Sequence, residues 1–236
     1  MQAFRGFGPQ ALPFFRALAF HQDRAWMEAN RHLYESDVRA PLALLLDDLA
    51  ARLPADGIPL KGDAKRSIFR LNRDVRFSKS KDPYKTHSGA VMTRSGAKGE
   101  QGLLYIHIDP AGCFLAAGFY MPEPAQLTEM RRDIVARAPA FRAACAGVEF
   151  SDGDSLTRSP RGFEPQQDPL LEAALRRRSH TFRQELAEAE IASPALVDIA
   201  AAFAARALPF LRFGWNAIDR VPPAPRVKPV KARVRA

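Results

Sequence analysis

The chain has 236 residues, 47% apolar and 26% charged, and its 35 Lys and Arg against 26 Asp and Glu leave a formal net charge of +9. These values fit one globular domain of ordinary composition; the two cysteines, Cys113 and Cys145, are too few for a disulfide framework and stand in no metal-ligand spacing. With no apolar run of 18 residues and no basic-then-apolar leader, neither membrane insertion nor secretion is expected, and a cytoplasmic setting is.

In chain order, Phe4-Arg5-Gly6-Phe7 precedes a predicted helix from about Gln10 to Ala19 that buries Leu12, Phe14, Phe15 and Leu18. A second helix runs from about Arg24 to Leu33, with Asp23 as its N-cap and Trp26 and Leu33 inward. Leu42, Leu45, Leu46, Leu49 and Leu53 repeat at helical spacing and predict a third from about Ser36 to Leu53, its first turns interrupted by Pro41. His21 and His32 lie on this helical layer with no partner at ligand spacing and read as structural or exposed.

Residues 65 to 87 carry eight Lys or Arg against two Asp, about two thirds of the net charge in a tenth of the length. Within them, Phe69, Leu71, Val75 and Phe77 fall on one parity and Arg70, Asn72, Asp74 and Arg76 on the other, which predicts a strand from Ile68 to Phe77. Arg73 falls on the apolar parity, so a bulge is expected near Asn72-Arg73-Asp74. On a straight strand Arg70 and Arg76 would stand roughly 20 Å apart, too far to clamp one phosphate. The loop Ser78 to Thr86, turned by Asp82-Pro83, would then supply further ligands. The candidate anion-binding set is Arg70, Arg73, Arg76, Ser78, Lys79, Lys81, Lys85 and Thr86, with Asp74, Tyr84 or His87 as proton carriers. The same charges could instead form an internal network, Asp74 pairing with Arg73 or Arg76 and Asp82 with Lys79 or Lys85.

Gly89 to Thr93 reads as a short strand and residues 94–102, with three glycines, as a flexible flap. Leu103 to Asp109 and Cys113 to Met121 form a predicted antiparallel hairpin around Asp109-Pro110-Ala111-Gly112. Leu104, Ile106 and Ile108 point to one side; Tyr105 and His107 point to the side that would face the basic strand. A helix from about Ala125 to Ala138, a short one after Pro139, a strand at Val148 to Phe150 and a turn at residues 151–154 follow. Arg158 and Arg161 are expected to border the basic site, and a helix from about Pro169 to Arg177 ends in three arginines that suit a helix C-terminus. The last helix starts at Ala195 and runs to about Leu211, with Pro209 as its end or a kink. Residues 221–236, with four prolines and five basic residues, read as a disordered tail that could touch nucleic acid by charge alone.

The histidines and cysteines are scattered, so no metal site is expected, and no nucleotide, nucleophile-elbow or kinase motif calls for a cofactor. Ser78-Lys79-Ser80-Lys81 matches Ser-x-x-Lys, but that chemistry needs a helix where Pro83 and the preceding strand oppose one.

The run from Arg70 to Thr86, Arg-Leu-Asn-Arg-Asp-Val-Arg-Phe-Ser-Lys-Ser-Lys-Asp-Pro-Tyr-Lys-Thr, resembles the signature of the domain of unknown function 2461 family, found in bacteria and fungi. The resemblance extends to Phe4-Arg5-Gly6-Phe7, Trp26, Gly118-Phe119-Tyr120 and the Leu156 to Phe163 segment. It implies an α+β fold and a shared site, and no reaction. Where members tend to carry an Asn-Asn pair and Trp-Phe, this chain has His21-Gln22 and Trp26-Met27, so no ligand role carries over to that pair.

The fold expected is α+β: an N-terminal helical layer, a central mostly antiparallel sheet built from the basic strand and the hairpin, and further C-terminal helices, in one domain over residues 1–220. The function expected is binding of an anionic, phosphate-bearing small molecule, with catalysis left open. The alternative is a noncatalytic binder of nucleic acid or another polyanion that uses the same strand and the tail.

Overall fold

The computed structural model describes residues 2–76, 79–151, 153 and 155–222. Its first layer follows from the leucine and phenylalanine spacing. Helix α1 (Ala11–Phe20) buries Leu12, Phe14, Phe15 and Leu18, and α2 (Arg24–Leu33) starts where the Asp23 carboxylate accepts from Trp26 N at 2.8 Å. No break follows Leu33. A π-helical stretch, Tyr34–Arg39, joins α2 directly to α3 (Ala40–Ala55), in which Leu42, Leu45, Leu46, Leu49 and Leu53 are fully buried. Pro41 has no N–H to give to the preceding turn, and the wider π turn just before it keeps the helix continuous.

After the short α4 (Ala64–Ser67) the chain departs from the expected strand. Residues 68–76 make only single bridges, Ile68 to Ala90 and Asn72 to Tyr84, with Arg73 N donating to Pro83 O and Lys85 N to Leu71 O. A regular strand would have buried Arg73 on its apolar parity. The segment folds back on residues 83–90 instead, and Arg73 stays half-buried beside Asp82. Phe77 and Ser78 lie outside the described residues.

The sheet is antiparallel in the order β1 (Ser88–Met92), β2 (Leu103–Ile108), β3 (Cys113–Phe119), β4 (His180–Leu186). Thus the expected hairpin forms its centre, while β1 takes the place given to the basic strand. Strand β4 was hidden because Gln184 stands among Phe182 and Leu186 on its inward parity and blurs the alternation. Val148 to Phe150 stays outside the sheet, although Ser151 N donates to Thr181 O at its edge.

One sheet face carries Leu104, Ile106, Ile108, Leu115, Ala117 and Phe119 into the core. Helix α5 (Pro124–Ala136), α6 (Ala138–Ala144), α7 (Pro169–Arg176) and the short α8 (Glu188–Ile191) lead to α9 (Leu196–Ile218), which packs against β3 and continues seven residues past the expected end, through Pro209. Its buried residues beyond the proline, Phe210, Leu211, Phe213, Trp215 and Ile218, supply the apolar contact that holds the helix together. Gly214 lets it sit down on Phe119, since a Cβ there would fall 2.2 Å from that ring. The result is a single α+β domain, and none of its described helices is long and apolar enough to cross a membrane. Of the tail, residues 223–236 lie outside the described residues.

Candidate functional site

Among the described residues, no helix layer covers the second face of the sheet. Side chains two residues apart share a face, and cross-strand register then aligns them in rows. On this face the register sets Gly89 opposite His107 and His107 opposite Phe114, and in the next row Val91, Tyr105, Ala116 and Arg183. The small residues Gly89 and Ala116 leave room above the sheet. The basic segment through Phe69, Arg70 and Lys85, and the 94–102 loop through Lys98 and Gly99, close over it to form a cavity of about 620 Å³.

Its floor is aromatic. Phe114 stacks on His107 at 4.5 Å between ring centroids, and Tyr105 stands edge-on to both Phe114 and Phe69 at 6.0 and 6.2 Å. Its rim is cationic. Lys85 and Lys98 hold their ammonium groups 5.5 and 5.3 Å from the Phe69 ring centroid, and the Arg183 guanidinium lies 5.2 Å from that of Phe114. Among the described residues, Arg70, Lys85 and Lys98 form no ion pair with a carboxylate, whereas Arg183 pairs with Glu185 at 2.6 Å. Burial, then the like charges of Arg70 and Lys98, hold the Lys85 amine below its ordinary pKa.

At one end of the cavity three proton-binding groups meet. One residue beyond the Ser88–Ile108 pair, the ladder's register sets His87 opposite Asp109, on the face that carries His107. Asp109 Oδ2 is 3.8 Å from His87 Nδ1 and 3.5 Å from His107 Nε2. The other His107 nitrogen, Nδ1, shares a 2.8 Å hydrogen bond with the Tyr105 hydroxyl. Burial is the first cause that lowers both imidazole pKa values, outweighing the raising effect of Asp109, so both rings are neutral near pH 7. Burial also pushes the Tyr105 phenol up to about 12, with Asp109 adding to the shift. The cavity can therefore hold a flat apolar body on rings, attract a negative group at its rim, and present neutral imidazoles as bases.

A second cavity, about 850 Å³, shares Phe69, Arg70, Lys85 and Lys98 with the first as a common wall. Its opposite wall is α2 and the π turn, where Arg31 pairs with Glu28 at 2.7 Å and Arg39 with Glu35 at 3.2 Å. Arg24 and Lys65 also line this larger cavity, which lacks the stacked aromatic floor of Tyr105, His107 and Phe114 found in the sheet-face cavity.

Of the residues singled out in the sequence, Arg70, Lys85 and His87 line the sheet-face cavity. Tyr84 is buried on the other side, in the wall of the larger cavity, with its backbone N donating to Gln22 Oε1. Asp74 does not reach either cavity: it is exposed, and two hydrogen bonds from the Arg76 side chain, at 2.7 and 3.0 Å, draw its pKa down. Arg73 donates to Ser80 Oγ and lies 3.6 Å from Asp82, and Lys81 donates to the Val75 carbonyl at 3.0 Å. Lys79 is exposed and Thr86 half-buried, and neither lines a cavity. Arg158 and Arg161 are exposed away from both. Ser78 lies outside the described residues.

Arg176 closes the last turn of α7, where a cation was expected, and it and Arg177 also reach beyond the helix. Arg176 Nε donates to Leu156 O at 2.9 Å and Arg177 Nη1 to Ser151 O at 2.6 Å, tying down those two residues. The 94–102 loop, expected as a flexible flap, is anchored at both ends. Arg94 makes two hydrogen bonds to Asp219, and Trp215 Nε1 donates to Gln101 O and Gly102 O at 3.2 Å. Lys98 Nζ donates to Ile68 O at 2.5 Å and pins the middle of the loop. Sequence reading missed Lys98, Asp109, Phe114 and Arg183 as site residues. Period-2 alternation places Phe114 on the Tyr105 face only once the hairpin register is known.

A family model described as conserved hypothetical protein (DUF2461) matches residues 10–213. No curated protein and no solved structure matches the chain.

Proposed function

Since the chain belongs to the DUF2461 family of conserved hypothetical proteins, a membership that specifies no reaction, we propose from its site that it binds a small organic anion in the sheet-face cavity. The ligand has a flat apolar body that rests on Tyr105 and Phe114 and a phosphate or similar group that meets Arg70, Lys85 and Lys98. One observation carries this reading: those three cations line one 620 Å³ cavity and, among the described residues, none pairs with a carboxylate, Glu100 in the same wall being engaged by Arg94 and Ser95; burial first, then the repulsion of Arg70 and Lys98, lowers the Lys85 pKa. An anion there relieves the repulsion, and each charged hydrogen bond contributes about 1.5–3 kcal/mol. The volume falls within the range of small-molecule sites, roughly 300–1,000 Å³. The neutral imidazoles of His87 and His107 give such a ligand a base within reach, so turnover is part of the proposal to be assayed once a ligand is known. The setting is cytoplasmic, where the two free buried thiols, Cys113 and Cys145, remain reduced.

The test is a thermal-shift panel of aryl and alkyl phosphates, sulfonates and carboxylates, run with EDTA at two salt concentrations. Aryl anions are expected to raise Tm at both, and to lose that effect in Lys85→Met and Phe114→Ala. Stabilisation only by nucleic acid, abolished by salt or by removing residues 223–236, would replace this reading with a polyanion-binding surface.

A further inference from the structure

We propose that His87, His107 and Asp109 bind one divalent transition-metal ion of the zinc class at the end of the sheet-face cavity. The inference goes beyond the anion-binding reading and does not depend on it.

The donors are His107 in β2, Asp109 just after it and His87 just before the adjacent β1, and the β1–β2 register brings them together. Their ligand atoms all lie within 4.8 Å of one another, and Asp109 Oδ2 sits 3.8 and 3.5 Å from the facing imidazole nitrogens. An ion with ligand distances of about 2.0–2.1 Å in a tetrahedral shell holds its donors about 3.4 Å apart. Small side-chain rotations therefore close the set around an ion, with no movement of the backbone.

For Asp109 and His107 the atom turned away from the centre is already engaged, as in ordered metal sites. Asp109 Oδ1 accepts from Ala111 N at 2.8 Å in the hairpin turn, which leaves Oδ2 for the ion. His107 Nδ1 is held at 2.8 Å by the Tyr105 hydroxyl, which leaves Nε2 for the ion. His107 and Asp109 are two residues apart on one strand face, a spacing that carries no signal in the sequence until His87 is brought across from β1. Two imidazoles and one carboxylate suit zinc, cobalt or iron better than calcium or magnesium, which prefer all-oxygen shells.

Three protein donors leave at least one position open, and His87 and His107 both line the cavity, so the open position faces its interior. A single carboxylate does not neutralise a dication, and Lys85 and Arg183 add positive potential at the two imidazoles. An anion in the cavity would offset that charge, so anion and metal should strengthen each other's binding.

Untagged full-length protein, stripped with EDTA and dialysed, is titrated with Co²⁺ and followed by visible absorption, then challenged with Zn²⁺; no organic anion is present. Expected are d–d bands that saturate at one equivalent and disappear as Zn²⁺ displaces Co²⁺. His87→Ala and Asp109→Asn each weaken binding at least about 100-fold, Tyr105→Phe by about 10–100-fold, and His32→Ala leaves it unchanged. Asp109→Asn keeps an oxygen for the Ala111 turn and His87 is half-buried, so both variants should fold, which circular dichroism checks. The proposal is overturned by the absence of saturable Co²⁺ binding to the wild type, or by binding that persists in both His87→Ala and Asp109→Asn. Because no anion is added here and EDTA is present in the anion panel, each proposal can fail without the other.

Discussion

Tyr105 places its hydroxyl directly over Gly89, where a Cβ would come within 2.5 Å of it, and from there the hydroxyl reaches His107 Nδ1 at 2.8 Å. The glycine is what lets the phenol lie across the edge strand and orient the imidazole, so two residues without chemistry in common are coupled by one close approach.

Gly89→Ala should therefore disturb the site as well as the fold. The added methyl overpacks Tyr105, and a net loss of about 1–2 kcal/mol is expected by urea denaturation. Affinity for an aryl anion should fall with it. Wild-type stability together with wild-type binding would show that the phenol is not held there.

Removing a rim cation should separate binding from stability. Lys85 is half-buried among like charges, so Lys85→Met removes a repulsion and leaves an apolar stem beside Phe69. Denaturation should show equal or greater stability, while ligand binding weakens at least about tenfold, the loss of one charged hydrogen bond. A destabilised variant would mean that Lys85 has a structural partner.

Asp74→Asn distinguishes the outer network from the cavity. Asp74 is exposed and bound to Arg76, so its neutralisation should leave both Tm and anion affinity unchanged within error. A specific loss of affinity or turnover would restore Asp74 as a site residue.

Acid sensitivity should begin at His180. This ring is fully buried, donates from Nε2 to Ala174 O at 2.9 Å, and is pushed by burial from 6.5 down to about 4. Between those values the unfolded chain binds a proton that the folded one refuses, so stability falls as pH drops from about 6.5 towards about 4, by on the order of 3 kcal/mol. His180→Gln should flatten that part of the stability profile whatever its effect at neutral pH. An unchanged slope would place the acid sensitivity elsewhere.

How much of this was legible in the sequence follows from which interactions are local. The leucines of α3 and the alternation of Leu104, Ile106 and Ile108 gave their elements directly, because each is a periodic pattern within one segment. The charge of residues 65–87 pointed to a segment that walls the sheet-face cavity, but local pairing absorbs much of that charge. Asp74 holds Arg76, and Arg73 lies beside Asp82 and Ser80, so only Arg70 and Lys85 of the candidate cations reach the cavity. Tyr105 and His107 were read onto the correct face, since parity within a strand is local. Asp109 was not connected to His87 because their proximity depends on the β1–β2 register, 22 residues apart in the chain, and register is a tertiary quantity. Arg183 was invisible for the same reason, on a strand whose own alternation Gln184 interrupts.

The most direct measurement is calorimetric titration of full-length protein, with EDTA present, by 1-naphthyl phosphate and separately by inorganic phosphate. A ring on the Tyr105–Phe114 floor and a phosphate at the Lys85 rim should give one saturable site for the aryl phosphate. That site should bind at least about ten times tighter than inorganic phosphate, and Phe114→Ala should remove the advantage. Equal affinities for the two, or no saturable binding of the aryl phosphate, would contradict a cavity built for an anion with an apolar body.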